Sequence, residues 1–198
     1  VTSWSTPPFS VQELHGARLR LCVHAGGSVR VLFPRDALGR GFRLVQAGAV
    51  PMASAVAEFA LALSLTLLRN LHTHDRGMQS RAGWRESGNG LLGEALSDQR
   101  IGIVGFGRTG RAYAEMIDAL GAKDVMVFDP FVGEEECRAL RVEKMGLDEL
   151  CARSDLLAIH AAATPDTHHL VGGAQLALLR DNAILVNTAR SWVVDQTA

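Results

Sequence analysis

The feature that most constrains this chain is a glycine-spaced turn between an apolar run and a helical repeat. Residues 101–104 form the run, Gly105-x-Gly107-x-x-Gly110 follows, and apolar residues then recur at i, i+3, i+4 and i+7 (Tyr113, Met116, Ile117, Leu120). The first glycine permits a sharp reversal, the second lets the backbone approach a pyrophosphate, and the third lets the helix pack against the strand. The helix N-terminus attracts an anion. The pattern therefore predicts a dinucleotide-binding unit.

An acidic residue ends the next predicted strand. Residues 125–128 are apolar and lead into Asp129-Pro130. A carboxylate at this position accepts hydrogen bonds from an adenosine ribose and repels the 2′-phosphate of NADP, so it favours NAD. An Asp-Pro pair also begins ordinary turns. Because the glycines and the strand stand at the expected offset, we interpret the segment as an NAD site.

The composition argues against several other classes of protein. A formal net charge of −1 over 198 residues gives no general attraction to nucleic acid or to an anionic membrane. The 3 cysteines lack the spacing of a zinc site or a disulfide framework, which is typical of the reducing cytoplasm. His72-x-His74 has no third ligand at a useful spacing. We therefore predict a cytoplasmic protein with no metal, no nucleic acid and no membrane as partner.

Strand and helix patterns alternate along the rest of the chain, which predicts an α/β fold with a mostly parallel sheet. A capping box of Ser10 and Glu13 predicts the first helix start. The predicted strands are residues 19–23, 42–46, 125–128, 155–160 and 183–187, and further helical segments are predicted at 34–37, 133–140, 147–153 and 172–179.

A long apolar helix is predicted at residues 55–70, with Ser54 as its N-cap. Ala, Leu and Val lie nearly all round it, which indicates burial between layers or against a second subunit. Its uninterrupted apolar run, 59–68, is about half the roughly 20 residues of a membrane span. Residues 71–96 have no sustained period, so we predict an extended arm or linker.

Chemically useful residues follow several predicted strands. The glycine turn, Asp129, His160 and Arg190 each come directly after one of them. In open α/β sheets the ligand crevice lies beyond the carboxyl ends of the strands. We therefore expect these residues to face one crevice.

The motifs resemble those of the D-isomer-specific 2-hydroxyacid dehydrogenases. The resemblance rests on residues 103–110, 128–130, 154–167 and 186–190, and extends back to 56–58, 81–84 and the loop 26–29. It implies a Rossmann-type doubly wound parallel sheet with part of a second, flavodoxin-like α/β substrate domain. The implied division is a partial substrate domain (1–52), a long helix and dimerisation arm (53–97), and a C-terminally incomplete NAD-binding domain (98–198).

The resemblance also implies a role for each matching residue. The pyrophosphate is bound by the glycine turn, which comprises Gly105, Phe106, Gly107, Arg108, Thr109 and Gly110. The adenosine ribose is bound by Asp129 and Pro130, and the adenosine half lies beside His160, Ala162, Thr164 and Thr167. The nicotinamide end lies beside Thr188 and Ala189. Arg190 is the catalytic residue and binds the substrate, and the backbone around Gly27, Ser28 and Val29 holds the substrate carboxylate. A guanidinium suits this role because its paired donors fit a carboxylate and polarise the neighbouring carbonyl.

Two functions fit the resemblance. The first is an NAD-dependent oxidoreductase that interconverts a 2-keto acid and a D-2-hydroxy acid by hydride transfer, usually as a homodimer. The second is an NAD(H)-sensing binding protein, like a few corepressors of the family. The family's acid/base histidine and its carboxylate partner come well after the arginine, so we expect this chain to be an internal piece that is inactive alone. The substrate is not identified.

Two residues depart from the family pattern. Ser191 replaces a glycine after Arg190, and Ala162 replaces a proline. The first departure predicts a shifted loop or a narrower substrate range, and the second predicts a looser turn.

Overall fold

The computed structural model describes residues 1–3, 5–16, 19–27, 29, 32–33, 43–46, 49–80, 83–88 and 92–198. The chain divides into two compact units, Val1–Ala53 and Ser54–Ala198. The helical segment predicted at 34–37 and the predicted substrate residue Ser28 lie outside the described residues.

The first unit contains a small parallel sheet. Strand β1 (Leu21–His24) pairs in parallel with β2 (Arg43–Gln46), and Thr2 forms a bridge to His24. Helix α1 (Val11–Gly16) begins after Ser10. Its capping box is confirmed, because the Ser10 N–H donates to Glu13 Oε2 at 2.8 Å and the Glu13 N–H donates to Ser10 Oγ at 3.2 Å. The two predicted strands are therefore present. β1 begins two residues later than predicted, and the first residue predicted for β2, residue 42, lies outside the described residues.

The long helix begins earlier than predicted. Helix α2 is Ala49–Leu68, so Ser54 lies inside it and the prediction of Ser54 as N-cap is wrong. Pro51 is tolerated in the first turn because the N–H that proline lacks would have no helical partner there. The apolar segment of this helix is also longer than the run predicted at 59–68. Val50–Leu68 is, by length and composition alone, apolar enough to span a membrane. Only 17% of its most apolar window is buried, and Val50 and Phe59 are exposed.

The extended arm predicted at 71–96 is also wrong. Asn70 takes a left-handed conformation and ends α2, after which α3 (Leu71–Gln79) and α4 (Trp84–Gly88) follow. The two helices pack closely, because a Cβ on Gly77 would meet the backbone of Ser87. Helix α3 buries none of its residues.

The second unit contains a five-stranded parallel sheet. Its elements run in the order β3 (Arg100–Val104), α5 (Arg108–Ala119), β4 (Asp124–Phe128), α6 (Glu134–Ala139), β5 (Glu143–Lys144), α7 (Leu147–Arg153), β6 (Leu156–Ile159), α8 (Gly173–Leu176) and β7 (Ile184–Asn187). The strand order is β5-β4-β3-β6-β7. The chain thus continues to one side of β3 and later crosses to the other, which creates a switch point at the carboxyl end of β3.

Apolar burial fixes this sheet between helices. Every residue of β6 is buried, as are the last four of β3. Helix α5 buries Tyr113, Ala114 and Ile117 against one face, and Leu150 and Cys151 of α7 belong to the cluster on the other. At the amino ends of the strands, the Asp155 carboxylate accepts hydrogen bonds from Arg100 (2.6 Å) and Arg180 (2.9 Å). The bonded Arg100 holds the pKa of Asp155 below its usual value.

Candidate functional site

The glycines of the turn after β3 have different structural tasks. Gly105 has a φ of +91°, and a Cβ there would lie 2.6 Å from the Ala161 backbone. A Cβ on Gly110 would meet the Gly105 carbonyl oxygen. By contrast, Gly107 has an ordinary φ of −74°, and a Cβ there would have nothing within 4 Å. The fold therefore requires glycine at 105 and 110, whereas Gly107 keeps a space open in front of helix α5.

That space faces the start of a helix of 12 residues. Gly107 is the N-cap residue, so no side chain caps the first N–H groups of α5. Arg108 is exposed and Thr109 is half-buried at the first turn. Uncapped N–H groups and the positive end of the helix dipole suit a phosphate. The turn therefore fits the pyrophosphate of a dinucleotide.

Asp129, at the end of β4, lies against this turn. Its Oδ2 accepts a hydrogen bond from the Phe106 N–H at 2.7 Å, and its Oδ1 accepts one from the Phe131 N–H at 2.9 Å. Each carboxylate oxygen has a second lone pair that a ribose hydroxyl can use. Pro130 and Phe131 are exposed beside it. The sequence predicted the position of Asp129 but not its bond to the glycine turn.

His160 follows β6 and contacts the end of β7. Its Nδ1 lies 3.3 Å from Thr188 Oγ1, and its ring centroid lies 5.1 Å from that of Tyr113. Burial lowers the pKa of His160 to about 4, so the ring is neutral at neutral pH. Its buried Nε2 has no hydrogen-bond partner within the described residues. A buried ring nitrogen without a partner is a group that a bound ligand can satisfy.

Tyr113 is itself held by a residue of α2. Its hydroxyl lies 2.8 Å from Ser64 Oγ, and Ser64 Oγ donates to the Ala60 carbonyl at 2.8 Å. Burial raises the pKa of Tyr113 to about 12. The apolar repeat of α5 predicted that Tyr113 is buried, but no local signal indicated its partner.

The loop after His160 is closed by two threonines. The Thr164 N–H donates to Thr167 Oγ1 at 2.9 Å, and the Thr167 hydroxyl donates to the Ala162 carbonyl at 2.6 Å. Pro165 begins a single 3₁₀ turn between them. The alanine at 162 therefore lies in a turn with internal hydrogen bonds, and Thr164 and Thr167 shape the loop.

Asn187 organises the turn that carries Arg190. Its Nδ2 donates to the Arg190 carbonyl and its Oδ1 accepts from the Ala189 N–H, both at 3.0 Å. The Arg190 side chain is exposed, and its Nη1 donates to the Ala189 carbonyl at 2.8 Å. Ser191 does not have a positive φ, so serine fits there without backbone strain. The sequence motif contained Asn187, but no role was predicted for it.

In the first unit, the predicted substrate loop follows β1. Gly27 and Val29 are partly buried. The Gln46 side chain donates to the Gly26 carbonyl at 3.2 Å and also to the Gly27 carbonyl. Gln46 was not among the predicted site residues.

The second unit brings together most of the residues predicted for the cofactor. Backbone bonds join Gly105 to the Phe128 carbonyl and His160 to the Val104 carbonyl, both at 2.8 Å. The carboxyl ends of neighbouring parallel strands thus carry all four groups: the glycine turn, Asp129, His160 and the turn at 188–190. In the described part of the chain, no three His, Cys, Asp or Glu side chains are grouped as metal ligands, and the three cysteines, all buried, are unpaired.

Comparison with known proteins agrees with this arrangement. Residues 61–198 match the family model of the D-isomer specific 2-hydroxyacid dehydrogenase, NAD binding domain. The chain is 33% identical over 181 residues to D-3-phosphoglycerate dehydrogenase of Mycobacterium tuberculosis, covering 91% of this chain and 33% of that protein. It is 36% identical over 146 residues to D-lactate dehydrogenase of Treponema pallidum, covering 73% of this chain and 42% of the relative. The fold superposes on D-2-hydroxyisocaproate dehydrogenase with a TM-score of 0.85 at 24% identity, covering 98% and 58% of the two chains.

The chain belongs to the D-isomer specific 2-hydroxyacid dehydrogenases and contains their NAD-binding domain. The predicted family, the Rossmann-type fold and NAD as the cofactor are thereby confirmed. The chain spans about a third of the length of the phosphoglycerate dehydrogenases that it matches.

Proposed function

We propose that the protein is an NAD-dependent oxidoreductase that interconverts a 2-keto acid and a D-2-hydroxy acid. The observation that carries this proposal is the convergence of a phosphate-binding turn, a ribose-binding carboxylate and an arginine-bearing turn at the carboxyl ends of β3, β4 and β7. Its relatives are named for the oxidation of D-3-phosphoglycerate and D-lactate, which are both 2-hydroxy acids. No observation favours a binding protein without turnover.

The side chains of this chain have distinct tasks in that reaction. NAD, when bound, supplies the hydride acceptor or donor. The N–H groups at the start of α5 hold its pyrophosphate, and the Asp129 carboxylate holds its adenosine ribose. The Arg190 guanidinium binds the substrate carboxylate with paired donors and stabilises the negative charge that develops on the carbonyl oxygen. In the first unit, the loop that contains Gly27 and Val29 offers backbone N–H groups that can bind a carboxylate.

The decisive experiment is an NADH-consumption assay on the protein expressed from its complete reading frame. A panel of pyruvate, glyoxylate, 2-ketoisocaproate and 3-phosphohydroxypyruvate samples small, branched and phosphorylated 2-keto acids. We expect reduction of at least one of them. The product should have the D configuration by chiral chromatography, except that glyoxylate gives glycolate, which is achiral. Tight NADH binding without turnover of any 2-keto acid would instead support the binding protein.

The cofactor site should discriminate strongly against NADPH. Asp129 carries a negative charge where a 2′-phosphate would lie, and residues 130–133 include no arginine. Repulsion and lost ribose hydrogen bonds should cost at least about 2 kcal/mol, roughly thirtyfold in affinity. Fluorescence titrations with NADH and NADPH measure the ratio, and Asp129→Asn, which keeps an acceptor for the turn, should reduce it. Equal binding of the two cofactors by the unmodified protein would contradict this role of Asp129.

We further propose that the protein is a homodimer and that α2 lies in its interface. Helix α2 buries one stripe (Ala53, Ala57, Ala60, Ser64, Leu68) and leaves Val50, Phe59 and part of Leu67 exposed. A second copy would cover this apolar surface. Phe59→Glu should give monomers in sedimentation, whereas Leu178→Glu, at an exposed leucine outside α2, should not. If the unmodified protein sediments as a monomer, the dimer proposal is wrong.

A further inference from the structure

The first unit buries an imidazole directly before the loop that is proposed to bind the substrate. His24 ends β1 and is only 1% exposed. Its Nδ1 lies 2.9 Å from Thr2 Oγ1. The backbone around it is paired as well, because the Thr2 N–H donates to the Val23 carbonyl at 2.9 Å and the Ala25 N–H donates to the Thr2 carbonyl at 2.8 Å. The ring is therefore held in one place by the Thr2 segment.

The other edge of the ring lies against the loop. A Cβ on Gly26 would be 2.5 Å from His24 Nε2 and 3.0 Å from its Cε1, so no side chain fits at Gly26 while the ring keeps this position. Gly26 is buried by this contact. Gln46, which is opposite His24 in the register of the two strands, donates to the carbonyls of Gly26 and Gly27. Gly26 is thus packed on the imidazole, and the carbonyls of Gly26 and Gly27 are both hydrogen-bonded to Gln46 of β2.

We propose that His24 is a positioning residue that fixes the Gly26-Gly27 backbone for recognition of the substrate carboxylate. This inference rests on the proposed function, which assigns the carboxylate to the N–H groups of this loop. Such donors bind a charge well only when they are already oriented, because a loop that must be ordered on binding loses affinity. A displacement of about 1 Å at such a site can cost roughly 100-fold. The flat ring suits the task because one nitrogen bonds Thr2 while the opposite edge contacts glycine.

Single substitutions separate positioning from stability. In the complete protein, His24→Ala should raise KM for the best 2-keto acid of the panel by about tenfold or more, leave kcat within about threefold, and leave NADH affinity unchanged. His24→Gln should recover much of the KM, since its amide reaches the position of Nε2. The matched control is Cys22→Ala, two residues earlier on the same buried face of β1. Cys22 Sγ also lies 3.7 Å from Thr2 Oγ1, so this variant tests whether the loss of a Thr2 contact alone changes KM, and we expect KM to stay unchanged.

A double-substitution cycle tests the contact itself. Gly26→Ala alone should raise KM, because its methyl group collides with the ring. In the His24→Ala background the same methyl group has room, so the combined effect should be smaller than the product of the single effects. Hydrogen–deuterium exchange of the peptide containing Gly26 and Gly27 should increase in His24→Ala but not in Cys22→Ala.

The outcomes distinguish the two proposals. An unchanged KM in His24→Ala, multiplicative effects in the cycle, or equal KM increases in Cys22→Ala and His24→Ala would each overturn the positioning role. An unmodified protein that reduces no 2-keto acid would overturn the proposed function, and the exchange measurement would then decide by itself whether His24 orders the loop.

Discussion

Replacing Arg190 with lysine should lower kcat/KM for the 2-keto acid by about 10²–10³-fold in the complete protein. Lysine keeps the positive charge but is a point donor, so it cannot bind a carboxylate with two parallel hydrogen bonds. The guanidinium is carried by an exposed side chain on a turn that Asn187 closes from both sides. The turn should therefore survive the substitution, and the loss should come from the chemistry of the side chain.

Steady-state kinetics with NADH measure this effect, and NADH titration of the same variant checks that the cofactor still binds. Arg138→Lys is a matched control, because Arg138 is also an exposed arginine. It lies on α6, and its ion pair is with Glu134 at 3.0 Å. That variant should retain full activity. Full activity of Arg190→Lys would remove Arg190 from the substrate site and leave the proposed chemistry without its main electrostatic group.

The second large effect concerns the glycine turn, where two alanine substitutions should fail in different ways. Gly110→Ala places a methyl group on the Gly105 carbonyl oxygen, and backbone cannot easily move away. We expect a fall in Tm of about 5–10 °C and a loss of NADH binding. Gly107→Ala meets no protein atom within 4 Å, so Tm should stay within about 2 °C. Its methyl group would instead occupy the space proposed for the pyrophosphate, so the Kd for NADH should rise at least about tenfold.

Gly146→Ala is the control for both variants. Gly146 is the N-cap residue of α7, as Gly107 is of α5, and a Cβ on it also meets nothing within 4 Å. It should change neither the Tm nor the NADH affinity by much. Thermal unfolding and fluorescence titration of the three variants suffice. If Gly107→Ala binds NADH as tightly as the unmodified protein, the space before α5 is not the pyrophosphate site.

Local patterns predicted the sheet of the second unit well, and long-range packing explains where they failed. β3, β4, β6 and β7 are short apolar runs bounded by turns, and all four are present within a residue or two of their predicted limits. β5 has only two residues and was missed. Helix α2 was predicted to begin too late, since Ser54 suggested an N-cap. Helices α3 and α4 have only 9 and 5 residues, so each is too short for a sustained period.

The residues of the candidate site also fall into those that local sequence predicts and those that depend on long-range packing. Glycine spacing and an acidic strand end are local features, so the turn and Asp129 were found from sequence. The contact of His160 with Thr188, 28 residues away, and that of His24 with Thr2, 22 residues away, depend on which strands become neighbours. Asn187 acts only on the next three residues, yet its role required the geometry of the turn.

The hydrogen bond from the Phe106 N–H to Asp129 bears on how this protein could be engineered, or could evolve, to use NADP. A direct change of Asp129 to a small or basic residue removes the carboxylate that is proposed to bind the ribose. The same change leaves the Phe106 N–H, in the glycine turn, without its acceptor. A substitution at Asp129 therefore changes the cofactor preference and the geometry of the glycine turn at the same time. A viable route passes first through asparagine, which keeps an acceptor while it removes the charge, and only afterwards adds a basic residue at 130–133.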